Sequence, residues 1–230
     1  MKKHFTNPFK GMRDFLLLWG SQALSALGSS MTSFALIIWS YEQEGSALMT
    51  ALLTICSYTP YVLLSVFAGA ISDRWDKKKI MLACDTAAAV CTLSIFFLLK
   101  TGHLEIWHLY LINALNGLMN TFQQPASDVS VTLLVPKEQY QRIGAFQNFS
   151  GSLVSILTPA LAAAVLAFAG MDAVIFFDLF TFLMAFLILA LFIRIPKPEQ
   201  RAEKREKLRD SISGGLAFLM KNRGILNLMW

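Results

Sequence analysis

Side chains able to hydrogen-bond a ligand recur at helical spacing in one stretch of this chain: Asn113, Asn116, Asn120, Gln123 or Gln124, and Ser127. Steps of three and four residues put them on one side of an α-helix. A carboxamide both donates and accepts hydrogen bonds, so the chemistry of such a ladder is recognition of polar groups or hydration of a cavity. A second stripe runs through Gln22, Ser25, Ser29 and Thr32 or Ser33, and shorter ones through Thr54, Tyr58, Tyr61 and Ser65, and through Gln147, Gly151, Ser155 and Thr158. Serine and threonine also serve as glue between helices. The amide ladder is the more specific signal, because amides buried in an apolar medium without partners are costly. The candidate cavity residues are Gln22, Ser25, Tyr58, Asn113, Asn116, Asn120 and Gln123, with Trp39, Tyr61 and Phe122 joining Tyr58 as an aromatic wall.

Two isolated acids, Asp85 and Asp178, fall early in otherwise apolar stretches. Each has two readings: an ionic latch or proton site, or a structural carboxylate bonded to a helix end or a loop lysine. Asp128 is expected to pair with a loop cation. Catalytic chemistry has no support, since no nucleophile elbow, phosphate-binding glycine loop or zinc signature occurs. The three cysteines, Cys56, Cys84 and Cys91, form no C-x-x-C pair and are expected as free, buried thiols. No cofactor and no metal site is expected.

The elements that must position these residues are membrane helices. Apolar residues make up 55% of the chain and charged residues 15%, and the charges are clustered instead of scattered as on a soluble surface. A hydrocarbon core about 30 Å thick needs roughly 20 apolar residues per helix. Six stretches meet that need: Phe15 to Tyr41, Leu48 to Ile71, Ile80 to Leu99, Trp107 to Val135, Ile143 to Ala169 and Ala173 to Ile193. The first is read as a retained helix, being too long for a signal peptide. Of these, the third and sixth carry no polar stripe. The matched positions of Asp85 and Asp178 suggest two inverted three-helix repeats.

Every lysine and arginine except Lys100 falls in the N-terminal tail, in 72–79, in 136–142 or after the sixth stretch, once the edge position Arg74 is counted with its loop. Cytoplasmic segments hold such an excess, so the expected orientation has the N-terminus in the cytoplasm of a multi-pass cell-membrane protein. The net charge of +5 is then a topology signal and not a nucleic-acid footprint. Residues 1–194 form the expected six-helix bundle, 195–223 a charged cytoplasmic linker with an amphipathic helix over Ser211 to Met220, and 224–230 the opening of a seventh span that stops after two turns. That ending suggests a fragment or a truncated frame.

Between the second and third stretches lies Gly69-Ala70-Ile71-Ser72-Asp73-Arg74-Trp75-Asp76-Lys77-Lys78-Lys79. Physically, Gly69 would let neighbouring helices approach, Asp73 could be held by a helix end and by cations, and the lysines would stay at the cytoplasmic surface and fix topology. The run resembles the signature G-x-x-x-D-R-x-x-K/R-K/R of the major facilitator superfamily. Trp19-Gly20-Ser21-Gln22, Leu27-Gly28-Ser29-Ser30, Ala83-Cys84-Asp85, Gln124-Pro125-Ala126, Leu134-Val135-Pro136 and Arg194-Ile195-Pro196 extend the likeness, especially to macrolide-efflux-type drug exporters.

The resemblance implies an all-α membrane fold, the N-terminal six-helix bundle of a two-bundle transporter whose partner is a C-terminal six-helix half. It implies proton-coupled efflux of amphipathic small molecules such as macrolides, by alternating access, with Gly69, Asp73 and Arg74 as a gate that contacts the second half. Two departures weaken the proton assignment. Asn116 stands where related antiporters often carry arginine, and Thr158-Pro159-Ala160-Leu161-Ala162-Ala163 replaces their G-P-x-x-G-G. The alternatives are a non-transporting half that acts as a remnant or interaction partner, and an importer of a small neutral metabolite such as a sugar.

Overall fold

A computed structural model describes residues 8–196, with the side chains of 8–11, 66, 70, 73, 74 and 137 outside the description. All but the first two residues of the linker expected over 195–223, with its amphipathic helix and the seventh-span start over 224–230, therefore lie outside the described residues, as do the side chains of Asp73 and Arg74. Within them the chain is helical: α1 Pro8–Glu44, α2 Ala47–Arg74, α3 Lys77–Lys100, α4 Ile106–Leu134 and α5 Tyr140–Leu187. A short 3-10 turn, Lys137–Gln139, precedes α5, and a π-helical turn, Ile188–Phe192, continues it.

The boundaries follow local chemistry. Gly45 takes φ 62°, a left-handed value that ends α1 without the strain a side chain would bring. Ser46 then caps α2 by accepting from the Met49 N–H at 3.4 Å. Asp76 caps α3 by accepting from the Lys79 N–H at 3.3 Å. Glu105 and His108 cap α4 reciprocally.

Four helical segments are long and apolar enough to cross a membrane: Met12–Glu44, Ala47–Ser65, Lys77–Lys100 and Tyr140–Phe192. This differs from the six stretches read in the sequence in two places. The helix α4 has the length, at 29 residues, but its amide ladder lowers its hydropathy. The last segment holds 53 residues, far more than the roughly 20 that one crossing needs. It is broken at Gly170, whose φ of 77° and ψ of 179° are not helical. The chain folds back there: Ala162 packs with Val174, and Ile143 shares a cluster with Leu189 and Ile193.

Along the bundle, α1 packs chiefly on α5 and α2 on α4. Phe15, Leu18, Met81, Val131, Leu134 and Ile193 close one end, while Leu36, Leu53, Ile95, Leu109 and Ile175 close the other. Large apolar residues also cover the outside, with Phe168 92% and Val62 72% exposed. A hydrocarbon surround suits that surface.

Two glycines set the helix spacing. A Cβ on Gly117 would overlap the Ser57 carbonyl oxygen, and one on Gly28 would overlap Thr181 Oγ1. Gly69 does not act this way, since nothing lies within 4 Å of the position its Cβ would take. The close approach expected at Gly69 is therefore absent among the described residues.

The lysines of the 69–79 run are also placed differently from expectation. Lys77 is buried and donates to the Ser72 and Trp75 carbonyls, at 2.5 and 3.0 Å. Lys78 reaches the end of the last helix and donates to the Ala190 and Ile193 carbonyls at 2.9 and 2.8 Å. Carbonyls at a helix end carry partial negative charge and lack helical partners, so Lys77 and Lys78 have a structural role in holding helix ends. Only Lys79 of the three is exposed.

Candidate functional site

A cavity of about 600 Å³ lies between the two apolar ends, where α1, α2, α3, α4 and the second limb of α5 converge. Both main polar stripes face it. The first helix contributes Gln22, Ser25, Ser29, Thr32 and Ser33, and α4 contributes Asn113, Asn116, Asn120, Gln123, Gln124 and Ser127. All seven candidate cavity residues are thus brought together, Tyr58 included. The rest of the expected aromatic wall is not. Trp39 and Phe122 pack against the apolar clusters, and Tyr61 is 51% exposed outside the cavity. Of the Gln147 stripe, Gln147 and Gly151 line a second cavity of about 430 Å³ with Trp19 and Asp128, whereas Ser155 and Thr158 do not; this cavity shares Gln22, Gln124 and Ser127 with the first.

Asp85 and Asp178 both line the central cavity. Among the described residues neither is bonded to a helix end or a lysine, as the structural reading expected. Asp85 accepts from Gln22 Nε2 at 3.2 Å and Gln123 Nε2 at 2.5 Å, joining α1, α3 and α4. Asp178 accepts from Ser29 Oγ at 2.9 Å and Thr92 Oγ1 at 3.1 Å, joining α1, α3 and α5. The two sets repeat in register, because Gln22 and Ser29 are two helical turns apart on α1, as are Asp85 and Thr92 on α3.

That register is the signal by which Thr92 could have been found. The sequence offered no stripe on α3, yet the heptad step from Asp85 leads to it. Ser57 and Phe182 also line the cavity and had no comparable signature. Asp128 departs from expectation too: it accepts from Gln124 Nε2 at 3.1 and 3.3 Å and pairs with no cation among the described residues. The cysteines are free, but only Cys84 is buried, while Cys56 and Cys91 are half-buried.

The cavity can bind but shows no machinery for bond-making. It contains two carboxylates, many amides and hydroxyls, and among the described residues no lysine, arginine or histidine. Buried Asn116 Oδ1 has no hydrogen-bond partner among those residues, whereas the Thr32 hydroxyl faces the Asp178 carboxylate. An unsatisfied buried acceptor in a cavity wall is a position where a ligand group gains a bond at little desolvation cost. No cluster of metal-ligating side chains occurs among the described residues.

Comparison with known proteins places this geometry in context. The sequence profile of the Major Facilitator Superfamily matches residues 18–230. A macrolide efflux protein A of Streptococcus pyogenes is 28% identical over 221 residues, covering 94% of this chain and 53% of that protein. A macrolide efflux protein A of Enterococcus faecalis is 28% identical over 191 residues, covering 80% and 57%. A staphyloferrin A transporter of Staphylococcus aureus is 24% identical over 127 residues, covering 53% and 31%. The chain spans about half the length of the macrolide efflux relatives it matches.

Proposed function

The chain belongs to the major facilitator superfamily, whose members are membrane transporters and not enzymes, and from that premise we propose that it is one half of a drug exporter. Its several long apolar helices make it a multi-pass membrane protein. Counting α4 and both limbs of the segment broken at Gly170 would make six crossings, the N-terminal bundle of a 3+3 inverted repeat. The concentration of lysine and arginine favours a cytoplasmic N-terminus.

The substrate class is amphipathic and neutral or basic, with macrolides as the leading case. The observation that carries this reading is the amide-lined central cavity with two carboxylates and, among the described residues, no facing cation. An anionic substrate would want arginine or lysine there. Amides on α1 and α4 would bond the polar edge of the substrate, and Tyr58 and Phe182 would cover part of its apolar body. Coupling would come from protons carried on Asp85 or Asp178. The complete transporter would pair this bundle with a second six-helix half around one site, with Gly69, Asp73 and Arg74 closing one face against it. Antibiotic resistance would be the consequence in a cell.

Accumulation of a radiolabelled macrolide in a susceptible host tests this. Cells making the complete transporter should accumulate less drug than control cells, and Asp73→Asn and Asn116→Leu variants that reach the membrane should lose the effect. Unchanged accumulation on making the wild type refutes macrolide export. An amide-lined wall also suits sugar hydroxyls, and protection of the cavity by sugars but not by macrolides would favour import of a small neutral metabolite.

A further inference from the structure

Asp128 is an acid for which the described residues supply no positive partner. It lies on α4 six residues before Leu134, so about 9 Å of helix separates it from the end of the element. The side chain is exposed and lines the second cavity. Its hydrogen bonds come from the neutral amide of Gln124, one turn earlier on the same helix, at 3.1 and 3.3 Å. Among the described residues no lysine, arginine or histidine lines that cavity. A carboxylate held at such depth in a span is costly, and groups of this kind mark sites and routes for ions and substrates.

Three helices build the cavity around it. Among the described residues α4 and α5 touch little along their length, and the cavity fills the gap between Asp128 on α4, Gln147 and Asn148 on the first limb of α5, and Trp19 on α1. Small residues make the room. Ala23, Ala26 and Gly151 line it, and nothing lies within 4 Å of where a Cβ on Gly151 would sit. Leu18 and Val131 put it at the same end of the bundle as Ile80 and Met81, beside the lysine run. Trp19 adds an aromatic surface, with the Phe146 ring edge-on to it at 5.6 Å between centroids. Gln22, Gln124 and Ser127 form a wall common to this cavity and the central one.

We propose that the second cavity binds monovalent organic cations with an apolar body, Asp128 supplying the counter-charge and Trp19 with the small-residue wall receiving the body. One carboxylate balances one positive charge. A volume of about 430 Å³ lies in the range of small-molecule sites and is far more than a bare ion needs. The aromatic ring beside the acid favours an organic cation, because attraction of a cation to a ring face adds to the ionic attraction. Gln147 and Asn148 can bond polar substituents. The site has its own acid and its own third helix, and it adjoins the central cavity at the shared wall, so a ligand from the lysine-rich end meets it first. This deepens the exporter reading, on which it rests for any link to transport.

Binding is measured apart from transport, so the two ideas fail separately. Gly151→Cys puts a thiol in the cavity wall, in open space. The purified full chain with this substitution, in nanodiscs of zwitterionic lipid, is labelled with a maleimide, and each thiol is followed by peptide mass. Tetraphenylphosphonium, a permanent organic cation, at ten times its dissociation constant should slow labelling at position 151 about tenfold. Triphenylphosphine oxide, uncharged and similar in shape, should not. Labelling of Cys56, which lines neither cavity, should stay the same. Asp128→Asn keeps an acceptor for Gln124 but removes the charge, and should weaken cation affinity at least about tenfold. Asp128→Glu keeps the charge and should preserve protection. A purely structural acid predicts the reverse, with the amide variant tolerated and the longer acid disruptive. No protection in the folded chain, equal protection by the neutral analogue, equal protection of Cys56, or full protection with Asp128→Asn overturns the assignment whatever the efflux assay gives. Protection without macrolide efflux overturns the exporter reading alone.

Discussion

Gly117→Ala adds a single methyl where α4 crosses α2, and the structure gives the size of the disturbance. The new Cβ would overlap the Ser57 carbonyl oxygen and lie 2.9 Å from its carbonyl carbon. The oxygen contact governs, because it stands at 1.9 Å and non-bonded heavy atoms settle beyond about 3 Å, so α2 must retreat by about 1 Å or more. The obstacle is backbone and cannot rotate aside as a side chain would. Overpacking costs about 1–3 kcal/mol, and a rigid neighbour puts this site near the upper end. The better helix propensity of alanine returns about 1 kcal/mol, leaving a loss of about 2 kcal/mol. For a chain of this size that lowers the midpoint by about 4–8 °C.

Thermal unfolding in one detergent, followed by labelling of the free thiol of buried Cys84, measures the shift. Gly20→Ala is the internal control: it brings the same propensity gain, and nothing lies within 4 Å of its Cβ. Its midpoint should hold or rise. The same midpoint in both variants would refute the argument that α2 and α4 are in contact through Gly117. A retreat of α2 also moves Ser57 and Tyr58, which line the cavity, so ligand affinity should fall along with stability.

Two further substitutions probe charges that the fold uses in opposite ways. Lys78→Met removes two charge-assisted bonds to the Ala190 and Ile193 carbonyls; hydrogen exchange of residues 188–193 should accelerate, with a stability loss of about 2 kcal/mol. Unchanged protection there would show that the lysine does not hold the helix end. Lys100→Met breaks the ion pair with Asp172, whose partners are 50% and 43% exposed. Solvent screening limits that loss to less than about 1 kcal/mol, and a larger drop in the unfolding midpoint would contradict the exposed geometry.

The helices and the two main polar stripes were legible because their signals are local. An apolar run long enough to cross a bilayer, a glycine that ends a helix, and polar residues at steps of three and four are properties of one segment at a time. Thus Gln22, Ser25, Asn113, Asn116, Asn120 and Gln123 could be placed on common faces before any contact was known. In α4 two local signals oppose one another, because the amides that suit a cavity wall also lower the hydropathy of a helix long enough to span.

Other features depend on segments far apart in the chain. Gln22 meets Asp85 across 63 residues, and Ser29 meets Asp178 across 149. Nothing in either neighbourhood says whether an acid will face a lysine, an amide or a hydroxyl, because that choice is made by how helices rotate against one another. Which glycine permits a close approach is decided in the same way: Gly28 and Gly117 meet another helix, and Gly69 meets nothing. The sequence alone determined an all-helical membrane protein with polar faces on α1 and α4. Packing decided that those faces enclose one cavity, that α3 and the second limb of α5 add its two acids, and that Lys78 caps a helix end instead of facing water. Periodicity is a local property of a segment, whereas the partner of a buried charge is set by the whole arrangement of helices around it.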